Sequence, residues 1–211
     1  MTSGSGRVEE LLSRARSGDP LALTALFDHF RDRLRLMVRL RLDRRLCRRL
    51  DASDVLQEAY LVAAQRFADY LRDPSIPIFL WLRLVTGQKL TDLHRHHLGA
   101  QSRDAGMEVS LHRGALPQAS SVSLAELLLG RLTSPTRAAC RAEMQVRLQE
   151  ALNRLEPIDR EVLVLRHFVE LSNGEVAQAL DLGKTAASNR YIRALKRLKE
   201  ALAGSPGLFE C

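Results

Sequence analysis

Lys184, Arg190, Arg193, Lys196, Arg197 and Lys199 stand within residues 184–199, and no Asp or Glu lies among them. The stretch before them is biased the other way. Residues 147–183 hold Arg147, Arg154, Arg160 and Arg166 against Glu150, Glu156, Asp159, Glu161, Glu170, Glu175 and Asp181. Cations gathered on one helix and avoided by its neighbours point to a polyanion as ligand. Arg190, Arg193 and Arg197 form one stripe with Lys196 nearby; Arg can bond guanine through two hydrogen bonds, and Asn, as at Asn189, can do the same to adenine. Lys196, Arg197 and Lys199 are candidate phosphate contacts, which position without specifying.

A helix pair must carry them. Ser172 and Glu175 have capping-box spacing and predict a short helix over 173–180. Gly183 supplies a turn, and a longer helix is predicted over 184–203. Val176, Ala177 and Leu180 are expected inward on the first helix. Tyr191, Leu195, Leu198 and Leu202 are expected to form the buried stripe of the second, at 4-3-4 spacing. This is a helix-turn-helix pattern, in which the second helix enters the major groove with its N-terminal turns nearest the bases. Lys184, Thr185, Ser188 and Asn189 occupy those turns. The competing reading is a basic solvated helix that closes a four-helix bundle.

The rest of the chain is also helical in character. Of 211 residues, 45% are hydrophobic, only 5% are aromatic, and Leu, Ala and Arg dominate. The net charge of +7 and a pI near 9.9 agree with an anionic partner. Cys47, Cys140 and Cys211 are odd in number and far apart. They suggest neither a disulfide framework nor a zinc site. The N-terminal residues lack the apolar core of a signal peptide, and no apolar run has membrane-span length. A cytoplasmic protein with no membrane partner is expected. No nucleophile–base set, phosphate loop or metal-ligand motif is present, so neither an enzyme, a small-molecule substrate nor a cofactor is expected.

Helices are predicted over 7–17, from Pro20 onward, from Asp51 or Ser53 to about Tyr70, and over about 79–98. Leu23, Phe27, Phe30, Leu34 and Met37 form one stripe. Val55, Ala59, Val62, Ala63 and Phe67 form another. These define an N-terminal domain, 7–98. Residues 99–133 are rich in Gly, Ala and Ser and read as a flexible linker, with a short helix near 123–129. Ser134 and Pro135 open a C-terminal domain, 134–203. The fold class is all-α: two helical domains, the second a four-helix, winged-helix-like helix-turn-helix domain.

Three ordered stretches are similar to a known family. Residues 51–67, "DASDVLQEAYLVAAQRF", carry Asp54, Gln57 and Glu58 in an Asp-x-x-Gln-Glu core. Residues 79–98, "FLWLRLVTGQKLTDLHRHHL", carry Trp81-Leu82 and the Asp92 to Arg95 spacing. Residues 154–180, "RLEPIDREVLVLRHFVELSNGEVAQAL", precede the basic helix. In this order they resemble the bacterial sigma-70 family of RNA polymerase sigma factors, extracytoplasmic-function type.

The resemblance implies an alternative sigma factor that binds core RNA polymerase and directs promoter recognition and transcription initiation. Asp54, Gln57 and Glu58 would be the polymerase contact. Without the resemblance, Asp54 reads as an acid complementing the helix dipole. Trp81, Gln88, Lys89, Arg95 and His96 would lie toward the −10 element, with Trp81 also a core candidate. The loop from Leu71 to Phe79 would take an extruded base, with Tyr70, Phe79 and Trp81 as the nearby stacking groups. Lys184, Thr185, Ser188, Asn189, Arg190, Arg193, Lys196 and Arg197 would face the −35 element. Promoter DNA and core polymerase are the implied partners, and an anti-sigma protein is a further candidate. The alternative function is a polymerase-independent helix-turn-helix regulator, which would have no need of the 51–98 segment. The chain departs from family habit at Gln88, often Asn, at Asp181, often Gly, and at Thr185, Ala186 and Ala187, often Gly-Thr-Val. These departures bear on the promoter sequence, not on the fold. Elements one and a half DNA turns apart would be ~50 Å apart. A flexible linker of about 35 residues has an r.m.s. span of ~30–35 Å and a much longer contour, enough to bridge them.

Overall fold

A computed structural model describes residues 3–98, 116–132 and 138–203. The described residues form helices and connecting turns, with no strand among them. The helices are α1 Ser3–Arg16, α2 Ala22–Arg39, α3 Ala52–Arg72, α4 Ile78–Leu98, α5 Ser121–Leu132, α6 Ala138–Asn153, α7 Pro157–His167, α8 Asn173–Leu180 and α9 Lys184–Ala203. The chain divides into two compact units, Met1–Pro117 and Gln118–Cys211. The capping expected at Ser134 and the residues of the C-terminal tail lie outside the described residues.

In the first unit the α2 stripe of Leu23, Phe27, Phe30, Leu34 and Met37 is buried as its spacing predicts. α2 packs on α3, where Val55, Ala59 and Ala63 are buried, and on α4, where Leu82, Val85 and Leu90 are buried. Complete burial of Leu82 and Leu90 contributes ~2 kcal/mol each to holding α4 in place. Gly18 takes the left-handed conformation after α1, and the Asp19 carboxylate accepts the Leu21 N–H at 2.8 Å. The helix proper therefore starts two residues later than Pro20. At α3 the cap is Asp51: its carboxylate accepts the N–H groups of Ser53 and Asp54, and Asp54 returns the bond by accepting the Asp51 N–H at 2.8 Å. Those two backbone donors hold the Asp51 carboxyl below the ordinary carboxylate range.

The arginine-rich stretch 31–49 serves several ends. Arg33 lies over the Phe79 ring, 3.9 Å from its centroid, and Arg41 is buried and donates to the Met37 carbonyl at 3.0 Å. Arg31 pairs with Asp28 and Arg45 with Asp43. Arg35, Arg39, Arg48 and Arg49 are exposed.

His94 closes this unit. It is buried in α4, and its Nε2 accepts the backbone N–H of Asp43 at 3.3 Å, which requires a neutral ring. Burial pushes its pKa below the ordinary 6.5, against the attraction of Asp43 and with the repulsion of Arg45. The unfolded chain therefore takes up a proton before the folded one does. The stabilising contribution is complete above pH 6.5 and is lost as pH falls from there toward the folded value. Trp81, the only tryptophan, reports on this unit. Its fluorescence-monitored melting temperature is expected to fall by several degrees between pH 7.5 and 5. His94→Gln, which keeps an acceptor but does not titrate, is expected to flatten that dependence. An equal slope in the variant would place the acid sensitivity elsewhere.

The second unit starts earlier than the linker reading implies. α5 buries Leu124, Ala125 and Leu129 and packs on α6, which buries Leu148, Ala151 and Leu152. The short helix expected near 123–129 is therefore longer, Ser121–Leu132, and packed rather than part of a flexible linker. α7 opens with Pro157 in its first turn and buries Val162, Leu163, Val164 and Leu165. α8 and α9 begin and end at the residues the caps predict.

Candidate functional site

The turn between α8 and α9 is set by local chemistry. Ser172 Oγ accepts the Glu175 N–H at 3.3 Å, and the Glu175 carboxylate accepts the Ser172 N–H at 2.8 Å. Asp181 caps the other end in the left-handed conformation, φ 55° and ψ 48°. Asp tolerates that region better than most side chains, though glycine does so at lower cost. The Asn173 side chain donates to the Lys184 carbonyl at 2.9 Å and ties the starts of the two helices together.

α9 presents its faces differently from the expected pattern. Ala187 and Ala194 are fully buried, whereas Leu195 is 38% exposed. Tyr191, Leu198 and Leu202 are half-buried. The inward line thus runs through small residues, which let α9 lie close against α7 and α8; Leu195 is too large for that line and sits at its edge. Tyr191 meets His167 through a 3.1 Å hydrogen bond.

Arg190 and Arg197, two turns apart, also turn inward. Arg190 Nη1 donates to Asp159 Oδ1 at 2.8 Å and to Glu156 Oε2 at 3.2 Å. Arg197 Nη1 donates to Asp159 Oδ2 at 3.1 Å and to Glu156 Oε1 at 3.0 Å. Asp159 is fully buried and lies, with Glu156, at the start of α7, where the helix dipole also favours negative charge. Arg197 and then Arg190 hold the Glu156 carboxyl below its usual range, and Asp159 with Glu156 pushes Arg190 up. Arg190 and Arg197, expected among the DNA contacts, thus have their guanidiniums engaged within the protein in this structure.

The outward face is left with Lys184, Thr185, Asn189, Arg193, Lys196 and Lys199, all exposed, and with half-buried Ser188. Lys196 approaches Glu200 at 3.9 Å across solvent. Among the outward residues stands Ile192, 60% exposed, an apolar residue outside the expected polar and charged set. Its position was available in the spacing: 185, 188, 189, 192 and 196 share one face of a 3.6-residue helix.

On the first unit, Gln57 and Glu58 are exposed on α3, whereas Asp54 is occupied in the capping box. Lys89 of α4 pairs with Glu58 at 2.8 Å, and Arg66 donates to Gln88 at 3.1 Å. Two groups expected at opposite partners are therefore bonded to each other. A cavity of about 580 Å³ lies here, lined by Asp54, Gln57, Glu58, Lys89, Asp92 and His96 among others. Arg95 and His96 are exposed at the end of α4. Trp81 is half-buried against Tyr70 and Phe67, with ring centroids 4.8 and 6.1 Å away. Phe79 and Tyr70 are buried, so only Trp81 of the three expected stacking groups keeps substantial exposure. Tyr70 donates its hydroxyl to the Ile76 carbonyl at 3.0 Å and fixes the 73–77 turn. Leu116 lies over Gly87, where any Cβ would meet its Cδ2 at 1.6 Å; the missing side chain makes that seat.

The family model described as sigma-70, region 4 matches residues 145–198, from within α6 to near the end of α9. The ECF RNA polymerase sigma factor SigD of Mycobacterium tuberculosis is 28% identical over 205 residues, 97% of this chain and 88% of its own. RNA polymerase sigma factor CnrH of Cupriavidus metallidurans is 29% identical over 153 residues, 72% of this chain and 73% of its own. The solved structure of CnrH in complex with the cytosolic domain of CnrY superposes with a TM-score of 0.54 at 23% identity. It covers 92% of this chain and 96% of that one, and so has the same fold.

Proposed function

We propose that this chain is a sigma-70 family RNA polymerase sigma factor of the extracytoplasmic-function type, which directs core RNA polymerase to promoters and starts transcription there. The observation that carries this reading is the joint presence of two units along one chain that aligns with sigma factors over 97% of its length. A helix-turn-helix regulator acting alone would need only the second unit.

In this reading residues 7–98 bind core polymerase and the −10 element, and 134–203 bind the −35 element. The packing of α5 on α6 favours extending the second module back to residue 121. Gln57 and Glu58 are the polymerase contacts, and Asp54 shapes the helix start that presents them. Gln88, Lys89, Arg95 and His96 lie toward the −10 strands, with half-exposed Trp81 beside them. Lys184, Thr185, Ser188, Asn189, Arg193 and Lys196 face the −35 duplex; Arg190 and Arg197 hold the helix that carries them. An anti-sigma protein is a regulatory partner, and the site of action is the cytoplasm.

Gel filtration with bacterial core RNA polymerase tests the reading. Co-elution, followed by promoter-dependent run-off transcripts that core alone does not make, is the expected result. A chain that elutes apart from core, at concentrations where a known sigma factor binds, yet shifts duplex DNA would be a stand-alone regulator.

A further inference from the structure

We propose that Ile192 is a specificity-determining residue of the −35 contact, reading a thymine by its C5 methyl group. The inference rests on the initiation-factor reading and deepens it.

Ile192 is 60% exposed, although nothing in the packing of α9 requires an isoleucine there: Ala187 and Ala194 already make the buried line. It lies at the centre of the outward strip, one turn beyond Ser188 and Asn189 and one turn before Lys196. No acid stands on α9 before Glu200. With Arg190 and Arg197 drawn inward to Asp159 and Glu156, Lys184, Arg193 and Lys196 supply the cations of the strip. The occupant that matches is a duplex polyanion. A cationic rim meets its phosphates, and short polar groups meet base edges. On the floor of the major groove the methyl of thymine is the apolar feature that aliphatic side chains contact. A β-branched side chain projects little and rigidly, so it can touch such a methyl but cannot substitute for a hydrogen bond to another base. An exposed isoleucine amid cations is a poor surface for a protein helix, which would want a wider apolar area.

The test uses holoenzyme made from core polymerase and the full chain, after co-elution has been established. Duplexes randomised upstream of the start are selected with wild type and with Ile192→Ala. The wild type is expected to enrich thymine at one −35 position. Replacing that thymine by deoxyuridine, which removes only the methyl, is expected to weaken wild-type binding about fourfold, the effect of burying one methyl group. Ile192→Ala is expected to lose the thymine preference and the deoxyuridine effect while its other positions stay as selected. Unchanged selection and an unchanged deoxyuridine ratio in the variant would overturn the proposal. So would a uniform loss at all positions, which would mean that Ile192 acts through the fold or through a protein partner. Failure of co-elution, by contrast, would remove the initiation-factor reading itself.

Discussion

Asp159→Ala is expected to destabilise the second unit by ~3–5 kcal/mol and to abolish initiation that depends on the −35 element. The carboxylate is fully buried and accepts two guanidiniums from α9, 31 and 38 residues further on. Removing it leaves Arg190 and Arg197 with Glu156 alone, one half-exposed carboxylate against two guanidiniums. The stated cost is a large part of the ~5–15 kcal/mol that stabilises a typical domain, so hydrogen exchange along α7, α8 and α9 should rise together. Trp81 fluorescence, which reads the first unit, should not move. Asp159→Asn keeps the volume and loses the charge, and should lie between the two. Arg193→Ala, on the exposed face, gives the contrast: weaker promoter binding with protected α9 amides. Should Asp159→Ala keep wild-type protection, the clamp would be a minor feature of the surface and Arg190 and Arg197 would return to the set of DNA contacts.

The same clamp marks where the sequence is legible and where it is not. Ser172, Glu175 and Gly183 announce α8 and the turn, because caps act over three or four residues and their partners are local. The α2 stripe is equally plain, because five large apolar residues at helical spacing must leave water together on one face. The roles of Arg190 and Arg197 are different. Their spacing puts them on one face, but whether that face meets phosphate or Asp159 depends on how α7 crosses α9, which no local pattern encodes. The inward line of α9 is obscured for a related reason. Leu195 outweighs Ala194 on any hydrophobicity scale, yet close helix packing selects the smaller residue. α5 shows in the sequence only as the short helix expected near 123–129, because Ser121, Ser123 and the Ser-rich approach resemble a linker and the burial of Leu124 and Leu129 is supplied by α6. Ile192 escapes notice because its residue type belongs to cores, although its spacing from Ser188, Asn189 and Lys196 already places it on the outward face.

Glu58→Arg is expected to abolish co-elution with core polymerase while leaving the melting of the first unit nearly unchanged. Glu58 is 51% exposed, and its pair with Lys89 at 2.8 Å lies near the surface. Such a pair is worth only ~0–1 kcal/mol, so the fold does not depend on it. Reversing the charge, however, sets like against like wherever the polymerase offers cations, and juxtaposed like charges cost several kcal/mol, a loss of a hundredfold or more. The double variant Glu58→Lys with Lys89→Glu separates a direct contact from an effect on the fold. It restores the internal pair but presents the wrong sign on α3, and should still elute apart from polymerase. Recovery of co-elution in the double variant would mean that the pair acts through the fold and that polymerase binds elsewhere. The weakness of the pair also has a functional side. A polymerase cation taking Glu58 would release Lys89, which lies on the helix assigned to the −10 strands, for a phosphate. Lys89→Ala should accordingly co-elute with polymerase as wild type does, yet form heparin-resistant promoter complexes less readily. The two readouts together distinguish an exchange of partners from a pair that merely steadies the surface.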